Sequence, residues 1–495
     1  MEKLLLGVDI GTSACKVAVF DRKGNVLAQS NQSYGLYYPN PGWVEQNPDE
    51  WWNSICAGIR DVLDKGSIEP EQIAGIGIDG QSWSAIPVDE EGNCLHNTPI
   101  WMDTRAREIA AKVTTEIGFD RIFQIAGNAF EPAYTTPKIL WFKEHQPEIY
   151  EKTYKFLQSN SFIALKLTGS FTQDKSQGYG LHFFNAKTCS YDKDLADALG
   201  ISLDKVPEIY DCHAVVGTVT KEASLLTGLM EGTPVVAGGL DAACGTLGAG
   251  VYKTGQTQEQ GGQAGGMSIC LNEATAHPKL ILSPHVVPDL WLLQGGTVGG
   301  GGVLRWFKQE LGGDSSFDEL TAMADKISAG SDGVTFLPYM AGERSPIWNP
   351  DAKGVFYGLG FDKTKAHMIR AALEGVAYSL EHNLATAREA GVEVDELIAM
   401  GGASNSLVWT QIKSDVTGKI IKVPTSDTAT TLGAAILAGV GVGMYESFEE
   451  AVKETIVITR THEPNMANHK IYKKSMALYL KLYEALKGTF KFTNK

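Results

Sequence analysis

Val235-Val-Ala-Gly-Gly-Leu-Asp-Ala-Ala-Cys-Gly-Thr-Leu-Gly-Ala-Gly250 is the stretch on which the fold turns. Val235 to Ala237 is a short apolar run of the kind that fills a buried strand. Gly238-Gly239 ends the run, and a single charged residue, Asp241, follows in small, apolar surroundings. A carboxylate there is costly unless it is a buried partner or an acid–base group. The plainer alternative is that Asp241 caps a helix starting at Ala242. The stretch alone leaves both readings open.

Outward from it, the chain is too long for one core. At 495 residues two domains are expected, 1–247 and 248–495, with the C-terminal helix 469–486 free to pack back on the first. Hydrophobic content of 43% and charged content of 20% describe an ordinary soluble globular protein. A formal net charge of −15 leaves no basic excess to neutralise nucleic-acid phosphates. A phosphorylated small ligand is still allowed, because backbone amides can bind one. Seven scattered cysteines without a C-x-x-C pair suggest reduced thiols in a cytoplasmic protein. No export signal is apparent, since Gly7 and Asp9 interrupt the opening apolar run. The uncharged run 428–445 is long enough to raise the question of a membrane span. Its Gly, Ala and Thr content fits a tightly packed buried helix better.

Two turns stand out upstream and downstream. Leu4-Leu-Leu-Gly-Val-Asp-Ile-Gly-Thr-Ser13 reads as a buried strand entering a tight turn, with a second strand over 14–21. Asp9 there would suit Mg²⁺, and Gly11, Thr12 and Ser13 would suit phosphate oxygens. An ordinary hairpin with a polar tip explains the same letters. Glu259-Gln-Gly-Gly-Gln-Ala-Gly-Gly-Met-Ser268 is a similar strand–turn–strand opening the second half. Together they hint at two related domains with a cleft between them.

Elsewhere the periodicity predicts helices over 49–63, 108–116, 136–144, 303–311, 366–388, 405–417, 431–439 and 469–486. Strands are expected over 73–78, 336–339, 397–400 and 420–423, and loops or short strands over 170–192. Asp79-Gly-Gln-Ser-Trp-Ser84 and Ile100-Trp-Met-Asp-Thr-Arg105 put polar and aromatic residues after strand ends. That suits a polyhydroxylated ligand, and equally an ordinary surface loop. Gly295-Gly-Thr-Val-Gly-Gly-Gly-Gly302 offers backbone-only contact with a nucleotide, and Trp306-Phe307 argue against a flexible linker.

In this order the pieces resemble the FGGY family of carbohydrate kinases over nearly the whole chain. Gly354-Val-Phe-Tyr-Gly-Leu-Gly-Phe-Asp-Lys-Thr-Lys-Ala-His-Met-Ile-Arg-Ala-Ala-Leu-Glu374 fits the family's C-terminal signature, and Thr135 to His145 fits the other. Gly342-Glu-Arg-Ser-Pro346 looks most like the xylulokinase branch. The resemblance implies an α/β protein of two ribonuclease-H-like domains of the actin and hexokinase type, with ATP and sugar meeting in the interdomain cleft. It implies Asp9 as the metal-associated carboxylate, Gly11, Thr12 and Ser13 as the first phosphate loop, and Asp241 as the catalytic base. Gly262 and Gln263 fall in the second phosphate loop. Gly300, Gly301, Gly401, Gly402 and Ala403 fall around the adenine nucleotide, and Gln81, Trp83, Trp101 and Asp103 around the sugar, with Asp241.

The expected reaction is phosphorylation of a sugar hydroxyl by ATP with Mg²⁺, the sugar a ketopentose such as xylulose or a related ketose or polyol. Asp241, ionised near neutral pH, would take the hydroxyl proton. A homodimer is one possible assembly; neither nucleic acid nor membrane is expected as a partner. Two departures bear on this. Gly262-Gln-Ala-Gly265 replaces the usual Gly-Thr-Ser-Gly, and Ser82-Trp83 replaces the Met-His of xylulokinases. The alternatives are a non-catalytic nucleotide switch of the actin or heat-shock-chaperone type and a sugar-binding regulator, both on the same fold.

Overall fold

In the computed structural model, which describes residues 2–425 and 428–492, two seven-stranded sheets carry most of the apolar core. The outer ends of the two expected domains, at 1 and at 493–495, lie outside the described residues. The first sheet contains β1 (Leu4–Ile10), β2 (Ala14–Phe20) and β3 (Val26–Ser33), then α1 (Pro48–Gly66) and β4 (Ile73–Gly80). After α2 (Thr135–His145) and α3 (Ser159–Thr168) come β5 (Val215–Thr218), β6 (Pro234–Val236) and the short β7 (Gly239–Leu240). Helix α4 (Asp241–Gly248) leads to the second half.

There β8 (Gln256–Gly261), β9 (Gly265–Leu271), β10 (Ile281–Pro284) and β11 (Trp291–Thr297) precede α5 (Gly301–Phe307) and α6 (Lys365–Glu389). Then follow β12 (Glu396–Met400), α7 (Leu407–Thr417), β13 (Ile420–Pro424), α8 (Ala429–Gly441), β14 (Ile458–His462) and α9 (Met466–Leu486).

The two sheets repeat one plan. In the first, β3-β2-β1 are antiparallel neighbours and β1-β4-β6 run parallel. In the second, β11-β9-β8 are antiparallel and β8-β12-β13 parallel. The turns at 11–13 and 262–264 therefore occupy the same topological place. The relation that the letters only hinted at is explicit in the strand order.

Alternation along β1 shows how the layers are chosen. Leu4, Leu6, Val8 and Ile10 belong to the core under α1, with Trp51, Ile55 and Ile59 of that helix. Leu5 belongs to the opposite core, with Leu432, Ala435 and Ile436 of α8. Gly7 and Asp9 share that second face. So does Gly77 of β4, where an added Cβ would meet the Ala434 carbonyl oxygen at 1.8 Å. The helix from the second half thus lies on the first sheet in backbone contact.

Helix α4 makes the reciprocal move. Its Ala243, Cys244 and Leu247 share a core with Cys270, Leu292, Ile398 and Met400 of the second sheet. The two helices cross where a Cβ on Gly433 would stand 1.9 Å from the Cys244 carbonyl oxygen. The expected boundary at 247/248 falls at the end of α4, an element shared by both halves.

Several expectations need adjusting. The tail helix α9 does not pack back on the first sheet; it packs on α6 and α7, burying Tyr472 and Tyr479 in the second half's core. The returning helix is α8, formed from the uncharged run that raised the membrane question. Among the described residues no helix is long and apolar enough to cross a membrane. Helix α3 was not anticipated: Ser159 to Leu165 are all buried, so no polar face marks a helical period. The helix expected over 303–311 is regular only to Phe307 and continues as a wider turn over Lys308–Gly312. All seven cysteines are free.

Candidate active site

The parallel register of β1 and β4 sets Asp9 beside Asp79, and β7 in turn pairs Gly239 with Asp79. Asp241 follows two residues later, so three carboxylates end three adjacent strands. Burial pushes the Asp79 carboxyl well above the usual carboxylate range, and the charges of Asp9 and Asp241 add to the effect. Asp241 is raised to about 7, by loss of solvent first and by Asp9 second. The sequence reading needed no elevated value. The structure supplies one, close to neutrality.

Asp241 is the first residue of α4, with Leu240 in the capping position, and its Oδ1 accepts only the adjacent Ala242 N–H, at 2.6 Å. A capping side chain would sit one residue earlier and bond one or two residues further on. Asp9 is 5% exposed and is fixed from both sides of the molecule. Thr430 of α8 donates to its Oδ2 at 3.1 Å, and Lys16 Nζ of β2 stands 3.7 Å away. Both oxygens of Asp79 are fully buried, and its carboxyl is hydrogen-bonded to that of Asp9.

Among the described residues no three acidic, His or Cys side chains are arranged to hold a metal unaided. Mg²⁺ is ordinarily held by one or two carboxylates, waters and substrate phosphates. Asp9, with the buried Asp79 carboxyl bonded behind it, fits that donor set.

The turn after β1 is gripped by side chains. Trp101 Nε1 donates to Thr12 Oγ1 at 3.0 Å, Gln46 Nε2 donates to the Thr12 carbonyl at 2.8 Å, and Tyr34 OH donates to the Gly11 carbonyl. Gln46 Oε1 accepts from Gln81 Nε2 at 2.7 Å, which leaves Gln81 Oε1 buried and unpaired. The first turn and the expected sugar side are therefore one hydrogen-bonded unit.

Trp83 adopts a positive φ of 62° just past the end of β4. Its ring stacks on Tyr134 at 4.2 Å and leans on Tyr179 at 5.8 Å, and its buried indole N–H is directed at the Tyr179 hydroxyl. Lys138 of α2 fixes this loop by donating to the carbonyls of Trp83 (2.8 Å) and Ile100 (2.7 Å).

Asp103 departs from expectation. It is fully buried, and its carboxylate accepts from Val44 N–H at 2.7 Å and from Arg105, which also pairs with Glu45 at 2.7 Å. No acceptor capacity faces a sugar. Asp103 shapes the loop that carries Trp101 and does not reach the site itself.

In the second half a cleft of about 560 Å³ is lined by Gly262, Gln263, Gly301, Gly402 and Ala403, with Arg305 and Asn405 among the others. The expected nucleotide glycines gather here, with two qualifications. A Cβ on Gly300 would come 2.3 Å from the Ala264 backbone, and Gly401 backs onto Gly261 in the same way at 2.9 Å. Gly300 and Gly401 thus allow the loops to touch one another. Gly301 N–H and Gly302 N–H are spent on the carbonyls of Gly262 (2.7 Å) and Gln263 (3.0 Å). Helix α4 links the two regions, because Thr246 Oγ1 donates to Gln258 Oε1 of β8 at 2.9 Å.

Asp79, Lys16, Gln46, Tyr134 and Thr430 escaped the sequence reading. Only Asp79 left a trace, as a charged residue closing an apolar strand just as Asp9 does. The others are brought in by pairing and packing.

Known proteins bear on this arrangement. Residues 4–248 match the N-terminal domain, and residues 265–442 the C-terminal domain, of the FGGY family of carbohydrate kinases. A xylulose kinase of Staphylococcus epidermidis is 32% identical over 489 residues, 98% of each chain. A gluconokinase of Bacillus licheniformis is 30% identical over 502 residues, 99% of this chain and 97% of that one. The crystal structure of ligand-bound xylulose kinase from Lactobacillus acidophilus superposes with a TM-score of 0.92 at 25% identity, over 99% and 100% of the two chains.

Proposed function

We propose, for a chain that belongs to the FGGY family of carbohydrate kinases, that the γ-phosphoryl group of Mg-ATP is transferred to a hydroxyl of a neutral ketopentose such as xylulose, or of a ketose or polyol of similar size. The observation that carries this reading is Asp241, a carboxylate raised to about 7 at the end of the first sheet, on the helix that runs to the second.

Phosphoryl transfer asks the protein mainly to position groups and to offset charge. Asp241 takes the proton of the attacking hydroxyl as that oxygen forms its bond to phosphorus and ADP departs. Asp9, steadied by Thr430 and Lys16, would hold the hydrated Mg²⁺ of the nucleotide. Bound there, the ion would offset phosphate charge. The cleft at 262–263, 301 and 402–403 would take the nucleotide through backbone groups. Gln81 Oε1, buried and unpaired, would meet a sugar hydroxyl beside the Trp83 ring.

Charge favours a neutral sugar. The site carries three carboxylates, and the cations nearest them in the described residues are engaged. Lys138 serves two carbonyls, Arg105 serves Asp103 and Glu45, and Lys16 stands against Asp9. His182, against Tyr134, is held neutral because burial lowers it to about 4. A sugar acid such as the substrate named for the gluconokinase relative would bring another negative charge to a site where burial already disfavours the charged forms of Asp79 and Asp241.

ADP release by purified protein, measured with neutral ketoses, polyols and aldonates in parallel, tests both levels. ADP release with a ketose and little with gluconate is the expected result. Absence of any sugar-dependent release would defeat the kinase reading. A preference for gluconate would defeat only the choice of substrate.

A further inference from the structure

The segment Gly342-Glu-Arg-Ser-Pro346 lies outside the groups used so far, yet three of its side chains meet three consecutive residues of another segment. Ser345 Oγ accepts the Gly296 N–H at 3.2 Å, Arg344 Nη2 donates to the Thr297 carbonyl at 3.3 Å, and Glu343 Oε1 accepts the Val298 N–H at 2.7 Å. Residues 296–298 end β11 and enter the glycine run that starts α5.

The segment is itself anchored from behind by α6. Ser379 OH donates to Glu343 Oε2 at 3.4 Å, and Asn383 Nδ2 donates to the Ser345 carbonyl at 3.1 Å. Glu343, Ser345, Ser379 and Asn383 are all at least 96% buried. On the other side, the amides of Gly301 and Gly302 hold the carbonyls of Gly262 and Gln263, which line the cleft. A continuous path of bonds thus runs from α6 through Glu343 to Val298, and along residues 299–302 to the first amides of α5 and the turn at 262–263.

We infer that Glu343, Arg344 and Ser345 are positioning residues for the nucleotide: they fix the glycine run at 296–302 so that the turn at 262–263 is presented to ATP. This rests on the proposed use of the cleft for ATP. A buried carboxylate is an expensive way to hold one strand end. Its use is understandable where a loop without side chains must keep its shape, because one carboxyl accepts the Val298 and Arg344 N–H groups and the Ser379 hydroxyl at once. The claim differs from a merely structural role in its consequence. Loosening the clamp should affect nucleotide far more than sugar.

The experiment measures binding of a non-hydrolysable ATP analogue by calorimetry, and KM for ATP and for the sugar, in the unaltered protein, Glu343→Leu, Glu343→Gln and Ser345→Ala. Glu343→Leu should weaken the analogue and raise the ATP KM by roughly tenfold or more, with the sugar KM nearly unchanged. Glu343→Gln keeps an acceptor oxygen and should recover most of the affinity. Ser345→Ala should lose about threefold, and it carries the test if Glu343→Leu does not fold. Equal analogue affinity in the folded variants, or equal loss for ATP and sugar, would overturn the inference. Failure of the unaltered protein to bind the analogue would instead remove the nucleotide reading of the cleft, and the clamp with it.

Discussion

The turns after β1 and after β8 join the same two strands of the same plan, yet they are built from opposite materials. The first carries Asp9 and Lys16 on its strands and Thr12 and Ser13 at its tip, and side chains of Tyr34, Gln46 and Trp101 hold it. The second is nearly bare: Gly261, Gly262, Gly265 and Gly266 surround Gln263 and Ala264, and backbone amides of α5 hold it. At the tips of a duplicated frame, hydroxyls and gripping side chains serve one turn and close backbone approach serves the other, although Glu259, on the strand leading into the second turn, is held in a buried ion pair with Lys413 at 2.6 Å. The first turn should therefore be sensitive to lost charge and the second to added volume.

The sharpest way to break the comparison is Asp241→Asn, which keeps shape and removes basicity. Turnover should fall by roughly 10²–10⁴-fold, while nucleotide affinity persists. In the unaltered protein the rate at limiting sugar should rise with pH and level off above about 7, where Asp241 is ionised. The variant should lose that rise. The sign for stability is opposite: a carboxyl raised on folding favours the fold while protonated, and that contribution is lost as pH rises from the ordinary carboxylate value, 3.8, to about 7. Asp241→Asn should thus melt no lower than its parent at pH 8. Near-normal turnover in a folded variant would remove Asp241 as the base.

Added volume tests the other half. Gly300→Val drives a side chain into the Ala264 backbone, where even a Cβ would stand at 2.3 Å. Overpacking of that size should raise the ATP KM by roughly ten- to a hundredfold, with the sugar KM little changed. An unchanged ATP KM would mean that the second turn is not shaped by contact with α5. Asp9→Asn returns to charge. It should raise the Mg²⁺ needed for half-maximal rate by about tenfold, and unchanged rates at limiting magnesium would take Asp9 out of the site.

The smallest effect is expected from Trp83→His, beside the unpaired Gln81. It should reorder a panel of sugars by a few-fold while ATP affinity stays within about twofold. An identical ranking would make Trp83 a packing residue on Tyr134.

Much of this site could be read from letters because its signals are local. Asp9 and Asp241 are charged residues closing apolar strands beside glycine, and the long helices from 48 and from 365 show clear periods. The partnership of Asp9 with Asp79 could not be read, since it depends on parallel register between strands more than sixty residues apart. Asp103 misled for a related reason. A carboxylate near an aromatic looks ligand-facing until Arg105 and the Val44 amide are seen to consume it. Helix α3 left no period because Ser159 to Leu165 are all buried and only Lys166 and Thr168 reach solvent, and the docking of α8 is invisible in any window of sequence.

That docking also sets a timetable. The face of β1 and β4 that α8 covers is complete once residue 240 has been made, but its cover is encoded some two hundred residues later, at 429–441. At ordinary translation speeds the nascent first half waits roughly 10–40 s with Leu5, Gly7 and Gly77 uncovered. For that interval the ribosome carries a sheet finished on the α1 side and open on the other. A fragment cut near residue 250 would stay in that condition permanently. The protein can be drawn as two domains, but it matures as one.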